Sequence, residues 1–240
     1  MNEQNKKIMM KRLFFLIAGM TVTLVAQAQP SAGSFSVIPR LGVNFANLTN
    51  NEVVTDLMNQ TQTLKSRIKP GVVAGVDVEY QATNELSLSL GMHYSQQGSR
   101  FPDFERKDDG LVEGFSNWHN DFDYLNVPLV FGYRIVKGFS VKAGVQLGML
   151  LSAKEHVSYT EIIPLEDGSR QQGDAVPRES DISETCKKVD LSIPLGVSYE
   201  FENVIIDARY LFGLSNIYKT DLVKSRNSVV QLSVGYRFQL

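Results

Sequence analysis

One pattern constrains this chain more than any other: stretches of strict apolar–polar alternation whose polar face is rich in glycine. The clearest stretch is C-terminal. Val230, Leu232, Val234, Tyr236, Phe238 and Leu240 share one parity, and Gln231, Ser233, Gly235, Arg237 and Gln239 share the other. Successive side chains of a strand point to opposite faces, so such a segment is apolar on one side only. The same holds for Phe139, Val141, Ala143, Val145, Leu147, Met149 and Leu151, which oppose Ser140, Lys142, Gly144, Gln146, Gly148 and Ser152. Alternation marks eight segments, 36–45, 70–81, 85–97, 122–135, 138–153, 187–201, 203–215 and 227–240. No sustained helical periodicity competes with it.

The connections alternate too. Residues 46–69, 98–121, 154–186 and 216–226 form long polar links, with short links around 82–84, 136–137 and 202 between them. Long and short links in turn are what a barrel makes when one rim faces the periplasm and the other faces outside. An even strand count with both termini at the periplasmic rim fits that arrangement.

A soluble ligand-carrying barrel would alternate as well, with its apolar face inward, so the polar face decides. It holds Gly42, Gly75, Gly91, Gly132, Gly144, Gly148, Gly196, Gly213 and Gly235. A solvated outer wall would carry Lys, Glu and Thr there, whereas small residues suit the cramped interior of an eight-stranded barrel. The apolar face therefore faces lipid. Tyr80, Tyr133, Phe139, Tyr199, Phe201, Tyr236 and Phe238 lie on it toward one rim, and Phe45, Tyr94, Tyr210 and Phe212 toward the other. Aromatic girdles at the two bilayer interfaces have this distribution. Lipid offers no hydrogen-bond partners, so the sheet must close on itself. The sequence predicts an all-β fold: an eight-stranded antiparallel transmembrane up-and-down β-barrel with short periplasmic turns and long extracellular loops.

The N-terminus fits delivery to an envelope. Lys6, Lys7, Lys11 and Arg12 precede an apolar run from Leu13 to Met20 that ends in Ala26-Gln27-Ala28. These are the parts of a secretory signal, so residues 1–28 are expected to be a cleaved signal peptide and 29–240 the barrel domain. The run is shorter than the ~20 residues a spanning helix needs. Removing 1–28 moves the formal net charge from −2 to about −5, because four basic residues leave with Glu3. An acidic chain argues against nucleic-acid binding. Cys186 is the single cysteine, so no intramolecular disulfide forms, and no Cys/His spacing for zinc exists.

The polar parity also carries Arg40, Asp77, Glu79, His93, Arg134, Lys142, Asp190, Glu200, Asp207, Arg209 and Arg237. Apart from the histidine, basic and acidic groups balance. A balanced set in a narrow lumen suggests a paired network that plugs it, since unpaired buried charge is very costly. Pro128 and Pro194 fall inside predicted strands, where each removes a ladder hydrogen bond and implies a bulge or local break.

These prolines sit in segments with a family resemblance. Tyr124-Leu125-Asn126-Val127-Pro128-Leu129, ending at Phe131-Gly132-Tyr133, resembles a recurring strand of the PorT-like outer-membrane β-barrel family. Val189-Asp190-Leu191-Ser192-Ile193-Pro194-Leu195-Gly196-Val197-Ser198-Tyr199 repeats it, and Arg40-Leu41-Gly42-Val43-Asn44-Phe45 and Val234-Gly235-Tyr236-Arg237-Phe238 are similar to its first and last strands. The resemblance implies a barrel in the bacterial outer membrane of a Gram-negative cell, with some relatives serving protein secretion. Many outer-membrane barrels end in an aromatic residue read by the assembly machinery; here Leu240 is last and Phe238 stands two residues earlier.

Chemistry is sparse. His93 and Ser95 share a strand face, but positions i and i+2 rarely give nucleophile–base geometry. His119 and His156 lie in long links, without acids that sequence can place beside them. No catalytic, cofactor or metal residues are assigned. Link 98–121 sets Phe101, Phe104, Phe115 and Trp118 among Asp103, Glu105, Asp108, Asp109, Glu113 and Asp121. An aromatic and acidic loop suits protein or glycan contact, or packs on the rim. Its carboxylate spacing does not match a calcium loop. The expected partners are outer-membrane lipid, the outer-membrane assembly machinery, and an envelope or extracellular protein. The expected function is non-enzymatic: surface interaction or envelope integrity through the loops. The alternatives are a part in secretion or assembly, a lipid-modifying enzyme, and a narrow channel.

Overall fold

The computed structural model describes residues 31–50, 52–57, 60–108, 111–165, 169–220 and 224–240. The expected signal segment, 1–28, lies outside them. The described residues form strands and no helix. Eight strands make a ring: β1 (Phe35–Leu48), β2 (Lys69–Gln81), β3 (Leu86–Arg100), β4 (Leu111–Val136), β5 (Phe139–Pro164), β6 (Val189–Phe201), β7 (Val204–Gly213) and β8 (Asn227–Tyr236). Each pairs antiparallel with the next. β1 closes the ring on β8, from Arg40↔Gly235 to Leu48↔Asn227. Closure leaves no edge in the hydrocarbon, where an unpaired backbone group costs several kcal/mol.

Alternation takes the expected sense. Leu41, Ile206 and Phe201 are 67%, 60% and 66% exposed, while Arg40, Asp207 and Arg209 on the opposite parity are buried. Tyr80, Tyr133, Tyr199, Phe201 and Phe238 are exposed at the rim of short turns, and Phe45, Tyr94, Tyr210 and Phe212 toward the other. Two of the short turns are two-residue hairpins, Lys137-Gly138 and Glu202-Asn203, in which Gly138 (φ 80°) and Glu202 (φ 55°) take the left-handed conformation such turns require.

Proline breaks the ladder without shifting its register. β3 and β4 pair from Leu86↔Tyr133 to Leu90↔Leu129 and again from His93↔Asn126, a gap that leaves Pro128 unpaired on the β3 side while it faces Gln146 on β5. β6 and β5 skip Pro194 between Ser192↔Gln146 and Leu195↔Ala143. A third gap accompanies Pro39 in β1. It separates β8 from its continuation Phe238–Gln239, which pairs with Ser36 and Val37. Each gap is the local break a missing N–H produces, not a bulge. The flanking register sets Gly91 opposite Pro128, and a Cβ there would lie 3.0 Å from the proline ring and 2.1 Å from Asp77 Oδ1. Glycine is needed at 91 because proline and aspartate both occupy the space in front of it.

Strand length differs from expectation. The alternation ended at residues 122 and 153, yet β4 and β5 are 26 residues each and form one continuous hairpin. At ~3.3 Å per residue each spans roughly 85 Å, against a hydrocarbon core of about 30 Å. Much of the links read as 98–121 and 154–186 is therefore sheet outside the bilayer. Phe104–Asp108 folds back on β4, and Arg170–Gln172 and Val176–Asp181 pair with β5. Link 46–69 holds a smaller hairpin, Glu52–Leu57 with Gln60–Lys65. These segments escaped the pattern because neither of their faces meets lipid, so neither must be apolar.

Candidate functional site

The lumen is built in layers. Nearest the short turns, Arg237 donates to Glu79 at 2.8 Å and to Glu200 at 2.6 Å. Above it, Asp77 receives Arg40 and lies 2.8 Å from His93 Nε2. Asp207 receives Arg209 at 2.6 Å and Lys142 at 3.0 Å, and Arg40 reaches it at 3.6 Å. Four cations thus meet four carboxylates, with His93 hydrogen-bonded among them. The recess between Glu79, Glu200 and Arg237 has about 10 Å³ of room, the size of one water.

Two of the lumen residues read from sequence stand apart. Arg134 sits at the rim and donates to the Asn84 carbonyl at 2.8 Å. Asp190 accepts from Ser215 and, at 3.1 Å, from Asn227, and among the described residues no cation pairs with it. His93 does not pair with Ser95, whose hydroxyl instead accepts from Asn44 at 2.9 Å and Gln97 at 3.2 Å.

Toward the outer rim the lumen turns apolar. Leu48, Phe122, Tyr124, Leu150 and Ala153 pack with Cys186 and Ile217 from the links, and Ile182 and Tyr218 lean on them. Phe122 and Tyr124 are essentially inaccessible. Burial pushes the Cys186 thiol and the Tyr218 phenol above their ordinary pKa values. Cys186 is therefore an inert packing group. This apolar cap was missed in the sequence, because it combines strand positions of the polar parity with Ala153, turned inward by the register shift at Asp123/Tyr124, and with residues from two links.

Outside the bilayer, the four aromatic candidates mostly contact one another. Phe101 is buried with Leu64 and lies 4.5 Å from Trp118, centroid to centroid. Phe104 stacks on Phe115 at 4.6 Å, and Phe115 meets Tyr159 edge-on at 5.0 Å. Burial removes Phe101 from direct contact with a partner. Phe101 and Trp118 also line a groove of about 650 Å³ with Arg67, Lys69, Arg100 and His119. The acidic residues with described side chains do not converge. Glu105 pairs with Arg170, Glu113 with Arg106 and Asp121 with Lys69, while Asp103 accepts the Asn117 amide.

At the base of the outer hairpin, three side chains meet that sequence left apart. A register shift between Ser116 and His119, with Asn117 at φ 53°, sets His119 directly across from His156. Their rings stack at 4.7 Å. Asp121 Oδ2 lies 3.8 Å from His119 Nε2 and 3.5 Å from His156 Nε2. The sequence assigned no metal ligands, and chain spacing could not bring this cross-strand cluster to notice.

The profile of the family described as outer membrane protein beta-barrel domain matches residues 26–219. Among solved structures, the chain is similar to Ail, the attachment invasion locus protein of Yersinia pestis, at 15% identity and a TM-score of 0.43, over 86% of this chain and 99% of that one. It is also similar to Neisserial surface protein A (14%, TM-score 0.41, 85% and 97%). OprG of Pseudomonas aeruginosa is similar at 11%, with a TM-score of 0.37, over 87% and 98%. No curated protein matches the sequence at a significant level.

Proposed function

The chain belongs to the outer membrane protein β-barrel domain family, a bacterial outer-membrane protein set in lipid, and from that premise we propose a non-enzymatic barrel with a closed lumen that works through its outer hairpin. The carrying observation is the length of β4 and β5, whose 26 residues each far exceed what spanning requires. A sheet extended that far from the wall is a platform, and its groove offers guanidinium groups beside Trp118. That chemistry suits a partner with carboxylate, phosphate or sulfate groups, which arginine binds with two parallel hydrogen bonds. Envelope support through the same platform is part of this reading, as is delivery by a signal peptide over 1–28 and insertion by the assembly machinery.

A photo-crosslinker in place of Trp118 in intact cells is expected to capture an extracellular or envelope partner. Excising residues 102–117 is expected to abolish capture while heat-modifiable mobility of the barrel persists. Capture that survives the excision sinks the platform assignment. The PorT-like resemblance of the Pro128 and Pro194 strands supports a second reading, a component of a secretion or assembly apparatus. Crosslinks from the short-turn rim that find no envelope protein count against it.

A further inference from the structure

We propose that His119, Asp121 and His156 form an extracellular site for a divalent transition-metal cation of the zinc type, held by three protein ligands and open on one side.

Distance carries the argument. The two Nε2 atoms stand 3.8 and 3.5 Å from one carboxylate oxygen, Asp121 Oδ2, and all three ligand atoms lie within 4.8 Å of one another. An N–H···O hydrogen bond closes to about 2.7–3.2 Å, so neither contact is one. Ligand atoms sharing a tetrahedral zinc at bonds of ~2.0–2.1 Å stand about 3.4 Å apart. The 3.5 and 3.8 Å separations stand within a few tenths of an ångström of that value, and the remaining pair lies within 4.8 Å. The near-parallel rings, 11° between planes, close on it by tilting about χ2.

The second faces of the rings are arranged to match. His119 Nδ1 is 2.8 Å from the Asn117 carbonyl, which can only accept, so Nδ1 carries a proton and Nε2 is the nitrogen available to an ion. His156 Nδ1 faces Glu179 Oε2 at 3.7 Å, beyond hydrogen-bond reach, so of the two rings His119 is the one with its second nitrogen hydrogen-bonded. A carbonyl or carboxylate behind a ligating imidazole fixes its tautomer and raises its basicity. Lys69 Nζ forms an ion pair with the other Asp121 oxygen at 2.5 Å, which leaves Oδ2 as the oxygen facing the two imidazoles. Imidazole with carboxylate suits zinc, copper and nickel over magnesium or calcium.

Two register shifts flank the site in the β4–β5 hairpin, one between Ser116 and His119 and one between Asp123 and Tyr124. Between these shifts His119 and Asp121 lie two apart on one strand, hence on one face, and the register sets His156 opposite His119. The site lies just beyond Asp123, whose carboxylate receives the Tyr94 hydroxyl at 2.8 Å, and so stands clear of the aromatic belt. A bound cation would tie β4 to β5 where they leave the barrel.

The test is Zn²⁺ titrated against the full protein, purified untagged from outer membranes in detergent, in competition with a chromophoric chelator. One equivalent is expected to bind. The His119→Gln/His156→Gln variant is expected to weaken binding at least about 100-fold, more than loss of an outer-shell partner would. Asp121→Asn, which keeps the side chain's shape, is expected to weaken it about tenfold, with folding of each variant checked by heat-modifiable mobility. Cu²⁺ in the same protein is expected to give a resonance spectrum with two imidazole nitrogens, lost in the double variant. Absence of one-equivalent binding, or binding unchanged in the folded double variant, overturns the proposal.

Discussion

The two ends of the lumen are filled by different means. At the short-turn end nine ionisable side chains, including Arg40, Asp77, Asp207 and Arg209, pair with one another, with both terminal nitrogens of Arg40 left without a hydrogen bond among the described residues. At the outer end an apolar cluster around Phe122 and Tyr124 does the filling, with help from the links. The difference follows from what supplies the atoms. In mid-membrane only strand side chains can enter, and the wall's glycines leave room for long charged ones. Near the outer rim, chain returning from the links can fold inward, and ordinary apolar packing becomes available.

Four expected outcomes test that contrast. Asp207→Ala takes the close carboxylate from Arg209 and Lys142 in a buried site, while Arg40 keeps Asp77, and should remove about 3–5 kcal/mol, read as the urea midpoint in micelles. A smaller loss would mean that water reaches the layer. Phe122→Ala leaves a cavity without orphaned charge and should remove about 3 kcal/mol. Its midpoint should be insensitive to added xenon only if the cavity collapses. Opening the cap alone, with Phe122→Ala and Ile217→Ala together, should give no planar-bilayer current, because the ionic layer beneath is intact. A current would show that the cap alone closes the barrel.

The smallest effect concerns the corner that seats Ile182 on the cap. The Ser183 amide donates to Asp181 at 2.8 Å and holds that exposed carboxyl below its ordinary pKa of 3.8. A depressed carboxyl stabilises above its unfolded pKa and ceases to do so as pH falls through the lower folded value. Protection of the Ser183 amide is therefore expected to be full above pH 3.8 and to fade below it. Asp181→Ala should speed exchange there without moving the global midpoint.

The contrast also separates what sequence carried from what it did not. The lumen charges were legible because parity fixes which face a strand residue takes, and Asp77, Lys142 and Arg237 lie where alternation put them. Their pairing was not legible, since strand register decides it. Arg134 and Asp190 shared the parity but lie near the rims, where a carbonyl or a hydroxyl is the nearer partner. The cap broke the rule that inward means polar. The histidine pair was hidden behind a bulge, which changes parity by one and so misleads any count along the chain.

The unbroken run of β4 and β5 through the wall has a mechanical consequence. A pull on the outer tip along the strand axes does not peel one pair of strands from the other. It is transmitted down both strands into the barrel, where β3 and β6 flank them and resist through ladders loaded in parallel. The two proline gaps in those flanking ladders set where the load path is thinnest, beside Pro128 and Pro194. A tether built this way would yield first within the membrane, and the surface platform would stay whole while its anchorage gave.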